Sequence, residues 1–420
     1  MKIAFKTLGC RANRAESDRL LERLTKAGFS CETEDVVKKS DAEIVIVNTC
    51  SVTNDADKKS RQAIRAIKNA NPKAKIYVFG CSVRADKKFY ENMEEVEFAG
   101  EIDKINSKLK GQKSKPQLKA QNLNTEVALS RTRAVIKIQD GCNNSCSYCA
   151  IRLVRGREES YPMKEILEQI KEKVALGFKE IVLTGINITS WRGENGSGGK
   201  KDGEGNFDFA DLIDEILKKI NVPRLRISSM EPESINEKFA KLLKNKHFCS
   251  HIHLPLQSGS DKILKLMRRK YDTNKFEKAC KMIRKFAPDA GITTDVIVGF
   301  PGETEKDFKE TFNLCKKIGF SKIHVFPYSK RKNTPASIMP NQIDERVKKS
   351  RAKTLRNLSE QLSKKFIKSQ LGKTYDVLFE EKSVGWTPNY IKVHTSPYKS
   401  LVNSIKPIKL TETLIVKSGI

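Results

Sequence analysis

The sequence predicts an α/β protein in three parts: an N-terminal open parallel α/β sheet domain, a partial (β/α)6 barrel, and a small C-terminal β-barrel. Three observations carry this expectation. Strand and helix patterns alternate over the first ~100 residues and again from residue 134, as parallel strands with helical crossovers do. A polar, basic, aperiodic stretch separates the two series. After Gly372 the pattern changes to short β-like runs broken by Gly and Pro, which suits a small barrel.

The elements follow in order. KIAFKTLGC reads as a strand, and ESDRLLERLTKAG as a helix ended by Gly28. AEIVIVNTC is a second strand, DADKKSRQAIRAIKNA a helix stopped by Pro72, and KIYVFGC a third strand. These lie in an N-terminal domain, residues 1–112, with a linker at 113–130. The core, 131–358, holds six strand runs: AVIKIQD, EIVLTGIN, RLRISSME, HIHLPLQ, TTDVIVGF and KIHVFPYS. Helical stretches lie between them, and six such units suit an open barrel with function at the carboxyl ends of the strands. The Gly-rich ENGSGGKKDGEGN (194–206) reads as a surface loop. Residues 342–370 form a basic helical stretch with Ile343, Val347, Leu355, Leu358, Leu362 and Phe366 near one face. The last domain, 359–420, takes part of that helix and then the runs YDVLFEE, YIKVHT and ETLIVKSG.

Composition bounds the partners. Lys and Arg number 80 against 51 Asp and Glu, a formal charge of +29. That excess fits either a polyanionic partner such as nucleic acid or a lysine-rich solvated surface. No apolar run approaches the ~20 residues of a membrane helix, and MKIAFKTLGC lacks the core of a secretory signal. The expectation is therefore a cytoplasmic protein with no membrane partner. In that compartment ten cysteines are metal ligands or buried thiols sooner than disulfides.

Six of those cysteines fall at strand ends. Cys142, Cys146 and Cys149 form a C-x3-C-x2-C array directly after AVIKIQD. Structural zinc takes four closed ligands, whereas thiolates also suit a cubane iron–sulfur cluster. Three thiolates on such a cluster leave one iron open to a small molecule. The bland readings are a zinc site completed by a distant residue, or three unliganded thiols. Cys10, Cys50 and Cys81 end the three N-terminal strands, where open parallel sheets gather their ligand sites. They read as a second three-thiolate set, or as independent core thiols. Cys31, Cys249, Cys280 and Cys315 show no such placement and read as buried thiols.

The array after the first barrel strand resembles the radical S-adenosylmethionine superfamily. TLGC, VNTC-S-V, GC-S-V, GCNNSCSYC, RGREES, LTGIN, LPLQSGSDKIL and DVIVGFPGET together resemble the methylthiotransferases of that superfamily, over the whole chain. LMRRKY, FPYSKRKNTPA and GWTPNYIKV are most similar to the branch that methylthiolates C2 of N6-threonylcarbamoyladenosine at tRNA position 37. Other branches act on isopentenyladenosine in tRNA or on ribosomal protein S12. The chain departs from the family after Cys10, reading RANRAES where relatives show an uncharged stretch; Arg14 adds a positive charge there.

The resemblance implies two [4Fe–4S] clusters and S-adenosylmethionine. Cys142, Cys146 and Cys149 would hold the radical cluster, which cleaves the cofactor reductively to a 5′-deoxyadenosyl radical. Cys10, Cys50 and Cys81 would hold the auxiliary cluster, which presents the methylthio group, with a second S-adenosylmethionine supplying the methyl. Thr184, Gly185 and Asn187, then Ser228, Glu231 and Gln257, end successive strands and would contact the cofactor. Val298 and its neighbours would flank the adenine, with Gly299 allowing close backbone approach. Arg152, Arg155 and Arg157 follow the cluster loop and would reach phosphate or cofactor carboxylate. The C-terminal domain resembles the TRAM barrel, which binds RNA. In it Tyr375, Phe379, Trp386 and Tyr390 interleave with Lys373, Lys382 and Lys392 as aromatics and cations do in single-stranded RNA binders, with some of the aromatics filling the barrel core instead; Lys373, Trp386, Tyr390 and Lys392 are the RNA candidates. Arg268 and Arg269 would face the same tRNA anticodon loop. An electron donor such as flavodoxin or ferredoxin is implied as well. The non-enzyme alternatives are an RNA-binding iron–sulfur redox sensor and a zinc-binding RNA module.

Overall fold

A computed structural model describes residues 1–32, 41–110, 132–193, 207–395 and 401–415. The linker (113–130) and the Gly-rich loop (194–206) lie outside the described residues. The chain divides into two compact units. One comprises residues 1–130 with 140–143 and 150–157; the other comprises 131–139, 144–149 and 158–420. No described helix is long and apolar enough to cross a membrane.

The first unit is a five-stranded sheet of β1 (Lys2–Thr7), β2 (Ser30–Glu32), β3 (Ile44–Thr49), β4 (Lys75–Gly80) and β5 (Phe98–Ala99). Its order is β2-β1-β3-β4-β5 and every pairing is parallel. The three strands read from the sequence are β1, β3 and β4; β2 and β5 are short edge strands. In β3 every residue is buried, as a central strand covered on both faces requires. Its alternation divides the core. Val45 and Val47 pack with Ile64 and Ile67 of α2 (Asn54–Ala70), while Ile44 and Ile46 pack with Leu20 and Leu24 of α1 (Arg11–Lys26). Thr53 caps α2 through its hydroxyl, which accepts from the Ala56 N–H at 3.1 Å.

The second unit carries the six expected core strands: Arg133–Lys137, Glu180–Thr184, Leu225–Ile227, His251–His253, Gly291–Val298 and Lys322–Pro327. The first three pair in parallel, as do the last three. A parallel bridge from Ser229 to His253 joins the third strand to the fourth, so the strands follow one another in chain order. Capping boxes at Asp208 and Thr304 start the helices Phe209–Lys219 and Glu305–Ile318.

The basic stretch is one unbroken helix, Glu345–Gln370, running across position 358. It lies on the sixth core strand. Ser359 Oγ accepts from the Ile323 N–H at 2.9 Å, and Ser363 Oγ donates to the Ser321 carbonyl at 2.6 Å. Beyond it, strands Thr374–Phe379, Val384–Trp386, Lys392–His394 and Ser404–Lys409 form a four-stranded antiparallel sheet. Of ETLIVKSG, read as a strand, Glu412–Leu414 form a 3-10 turn and Ile415 an isolated bridge to Val393; residues 416–419 lie outside the described residues.

A buried ion-pair node ties that C-terminal segment to the core strands. Arg226 grips Glu180 with two bonds, at 2.7 and 3.2 Å, and Arg224 and Arg133 add ion pairs at 2.8 and 2.9 Å. Arg224 also donates to the carbonyls of Asp376, Trp386 and Thr387, and Arg226 to that of Pro388.

Candidate active site

In the first unit, Cys50 and Cys81 follow β3 and β4 directly, Cys10 is separated from the end of β1 by two residues, and the fold brings the three together. Cys10 is the N-cap of α1, and Cys81 opens the short helix Cys81–Ala85. Both sulfurs lie 3.7 Å from one atom, Oδ1 of the buried Asn13. Cys50 packs against Gly9, where an added Cβ would lie 2.9 Å from the Cys50 sulfur. Asn13 is locked in turn, since its amide donates to the Leu8 and Thr49 carbonyls at 3.0 and 2.9 Å. Burial pushes the Cys50 and Cys81 thiols up. Against burial, the Arg155 guanidinium favours the Cys81 thiolate through a 3.1 Å contact from Nε to the sulfur.

Arg14 does not leave a free charge beside this set, because its Nε pairs with Asp18 at 3.2 Å. Cys31, Cys249, Cys280 and Cys315 are all buried, as expected.

Cys142 belongs to the first unit, where its N–H reaches the Gly156 carbonyl at 3.3 Å. Cys146 and Cys149 belong to the second. There the loop is pinned at Ser147, whose N–H and hydroxyl bond the Met267 and Leu266 carbonyls at 3.1 and 2.7 Å. Arg269 contacts the Cys146 sulfur through Nη1 at 3.3 Å, pairs with Glu231, and bonds Tyr271 at 3.2 Å. Its side chain is only 5% exposed, so the expectation that Arg269 faces RNA is corrected: it is an internal clamp on the cluster loop and Glu231. Burial pushes the Glu231 carboxyl above its ordinary value even with Arg269 beside it.

The cofactor candidates occupy the expected strand ends. Thr184 is buried, and Gly185, Ile186 and Asn187 fold over Gln139. Gln139 Oε1 accepts from the Ile186 and Asn187 N–H groups at 3.0 and 2.8 Å. The Ser228 hydroxyl is buried with no hydrogen-bond partner among the described residues, a polar atom suited to a bound ligand. Gln257 takes φ 64° and pairs across to the fifth strand through the Asp295 carbonyl at 2.8 Å. Val298 is buried. At Gly299 an added Cβ would fall 2.3 Å from Lys348 Cγ, and its N–H bonds Glu303 at 2.6 Å. The close approach that this glycine permits is therefore that of the Lys348 stem.

The proposed RNA contacts divide. Arg268 is exposed. Lys373 pairs with Asp289 at 2.5 Å. Tyr390 stacks on His251 and on Trp386, each with ring centroids 4.6 Å apart, and has the Arg226 guanidinium 4.7 Å from its centroid. With its ring packed in this way it is part of the node region and not a platform for a base. Trp386 is half-buried, with Lys392 Nζ 5.9 Å from its ring centroid. Phe379 is core, and the Tyr375 hydroxyl bonds Gln370 at 2.5 Å.

Sequence reasoning missed Asn13, Glu16 and Gln139. Asn13 had a signal in the sequence: it sits three residues past Cys10, one helical turn from the N-cap, with its side chain on the same face.

Cys10, Cys50 and Cys81, gathered around Asn13 and Gly9 within one unit, fit a thiolate-held cluster. Among the described residues no three His, Cys, Asp or Glu side chains close on a single-ion position. A cubane gives each thiolate its own iron, so its ligands need not converge on one point.

Comparison with known proteins follows the same division. Residues 136–315 match the Radical SAM superfamily, and residues 2–99 match Uncharacterized protein family UPF0004. The chain is 36% identical to the Bacillus subtilis threonylcarbamoyladenosine tRNA methylthiotransferase MtaB, covering 97% of this chain and 93% of that protein. The Aquifex aeolicus protein of the same name is 33% identical over 96% and 98% of the two chains. A Campylobacter jejuni tRNA-2-methylthio-N(6)-dimethylallyladenosine synthase is also 33% identical, over 98% and 96%. Among solved structures, the radical S-adenosylmethionine methyltransferase TsrM from Kitasatospora setae gives a TM-score of 0.55 at 14% identity, covering 80% of this chain and 75% of that one.

Proposed function

Because the chain belongs to the radical S-adenosylmethionine methylthiotransferases, we propose that it transfers a methylthio group to C2 of N6-threonylcarbamoyladenosine at tRNA position 37. The observation that carries this reading is the near full-length similarity to proteins named for that activity, which spans both cysteine sets.

The target C–H is neither acidic nor electrophilic, so general acid–base chemistry does not reach it. When bound, a reduced iron–sulfur cluster with S-adenosylmethionine supplies the radical hydrogen abstraction that this bond requires. The chain's own residues hold and orient. Cys142, Cys146 and Cys149 would ligate the cluster that binds the cofactor, and Arg269 steadies Cys146 while fixing Glu231. Gln139 holds the backbone of residues 186 and 187 at the end of the second strand, next to Thr184 and Gly185. The partnerless Ser228 hydroxyl, with Glu231, Gln257 and Val298, would complete the cofactor contacts. Cys10, Cys50 and Cys81 would ligate the auxiliary cluster.

The C-terminal antiparallel sheet would close into the RNA-binding barrel, with Arg268, Trp386 and Lys392 toward the anticodon loop. A flavodoxin or ferredoxin would supply electrons, and the reaction would take place in the cytoplasm, with its tRNA.

The test is nucleoside mass spectrometry after anaerobic incubation of reconstituted protein with S-adenosylmethionine, dithionite and tRNA. Substrates bearing threonylcarbamoyladenosine and isopentenyladenosine run in parallel. A methylthio product on the first tRNA only is expected, abolished by Cys10→Ala and by Cys142→Ala. Product on the isopentenyl tRNA alone would move the chain to the other branch. Deoxyadenosine release without product on either tRNA would leave the radical site standing and rule out both substrates.

A further inference from the structure

We propose that Arg155 is a positioning residue for the auxiliary cysteine set, holding the Cys81 sulfur and raising the reduction potential of the cluster that this set carries. The inference rests on the assignment of Cys10, Cys50 and Cys81 made above.

Arg155 lies in IRLVRGREES, in the short helix Ile151–Arg155 beyond Cys149, and its partners all belong to the first unit. Its side chain is 0% exposed. Burying a guanidinium costs several kcal/mol unless its charge and donors are answered. Here they are. Nη1 reaches Glu16 Oε1 at 2.7 Å and Asp140 Oδ1 at 3.0 Å. Nη2 reaches Asn13 Oδ1 at 2.8 Å and Glu16 Oε2 at 3.2 Å. That leaves Nε, whose hydrogen points at the Cys81 sulfur at 3.1 Å.

Glu16 and Asp140 thus act as a jig. They take the outer face of the planar fork and fix its rotation, so that the remaining donor faces sulfur. Asn13 completes the fit, since the oxygen that accepts from Arg155 is the one 3.7 Å from both Cys10 and Cys81. A residue meant for phosphate or a cofactor carboxylate would keep its fork open; this one has every donor engaged.

An N–H bond and a positive charge at a ligating sulfur favour the more negative, reduced state of a cluster, so they raise its potential. Without Arg155, the Glu16 carboxylate would act on the same sulfur unanswered and push the potential down.

Full-length protein with Cys142, Cys146 and Cys149 all changed to Ala isolates the auxiliary set. After anaerobic reconstitution with iron and sulfide, its midpoint is read by redox titration monitored by electron paramagnetic resonance. Arg155→Gln is expected to shift the midpoint negative by at least tenfold in the reduction equilibrium, about 59 mV for one electron. Arg155→Lys keeps the charge but not the directed Nε–H, and is expected to fall between Gln and the parent. An unmoved midpoint in both variants at unchanged iron content overturns the proposal. Should Arg155→Gln lose its iron, the Lys variant decides alone: a negative shift supports the proposal, and a parental midpoint overturns it. A triple-alanine parent that takes up no iron removes the auxiliary assignment, and this proposal with it. Tuning that fails while that parent holds its cluster leaves the assignment intact.

Discussion

Glu180→Ala is expected to destabilise the second unit by about 3–5 kcal/mol, the usual cost of removing one partner from a buried ion pair. Glu180 is fully buried, and three arginines converge on it. Removing it leaves Arg224 and Arg226 in a low-dielectric interior with backbone carbonyls to answer them, while Arg133 keeps its ion pair with Glu380 at 3.3 Å. Urea unfolding followed by circular dichroism checks the loss. Because Arg224 and Arg226 also hold the carbonyls of residues 386–388, protease cleavage in the C-terminal segment is expected to rise in parallel. The pH dependence has a definite sign. Burial alone would raise the Glu180 carboxyl, but Arg226, Arg224 and Arg133 outweigh it and hold it well below the usual range. A depressed native pKa means that the stabilisation is complete above the unfolded value of about 4.3 and is lost progressively as pH falls from there through the lower native value. The stability gap between the parent and Glu180→Gln should therefore stay constant from neutrality to about pH 4.3 and shrink below it.

This node marks the limit of what the sequence displays. The six core strands and the six strand-end cysteines are legible because strand runs, helical periodicity and position in the series are local properties. RLRISSME looks like a strand with one polar and one apolar face. On a strand covered on both sides, Arg224, Leu225, Arg226 and Ile227 are all buried, and the inner face holds cations only because Glu180 meets them. Arg269 and Tyr390 pose the same problem. A basic residue in LMRRKY and an aromatic among lysines read as surface groups until Cys146, Glu231, His251 and Trp386 arrive from distant parts of the chain. The short edge strands β2 and β5 escape for another reason, since two or three residues carry no measurable alternation.

Gly141→Ala is expected to cut deoxyadenosine release by about a hundredfold, the scale of a misplacement of about 1 Å at a reacting centre. Gly141 directly precedes Cys142 and takes φ 63°, a left-handed conformation that costs an L-residue about 1–2 kcal/mol. The larger penalty is steric. An added Cβ would stand 1.8 Å from the Arg157 carbonyl oxygen and 2.5 Å from its carbon, and these are backbone atoms that no rotamer change can move. The neighbouring Cys142 N–H bonds the Gly156 carbonyl at 3.3 Å, so driving Gly141 and Arg157 apart also pulls on the first cysteine of the array. Iron content after reconstitution and deoxyadenosine release with S-adenosylmethionine and dithionite are the two readouts. Gly319→Ala supplies the control. Gly319 is left-handed too, at φ 67° on the end of the helix Glu305–Ile318, but among the described residues nothing lies within 4 Å of an added Cβ. It should lose about 1 kcal/mol of stability and keep its turnover. Equal turnover in the two variants would mean that the Gly141 contact does not set the position of Cys142. A selective collapse at Gly141 would tie the radical chemistry to the backbone packing under the cysteine loop.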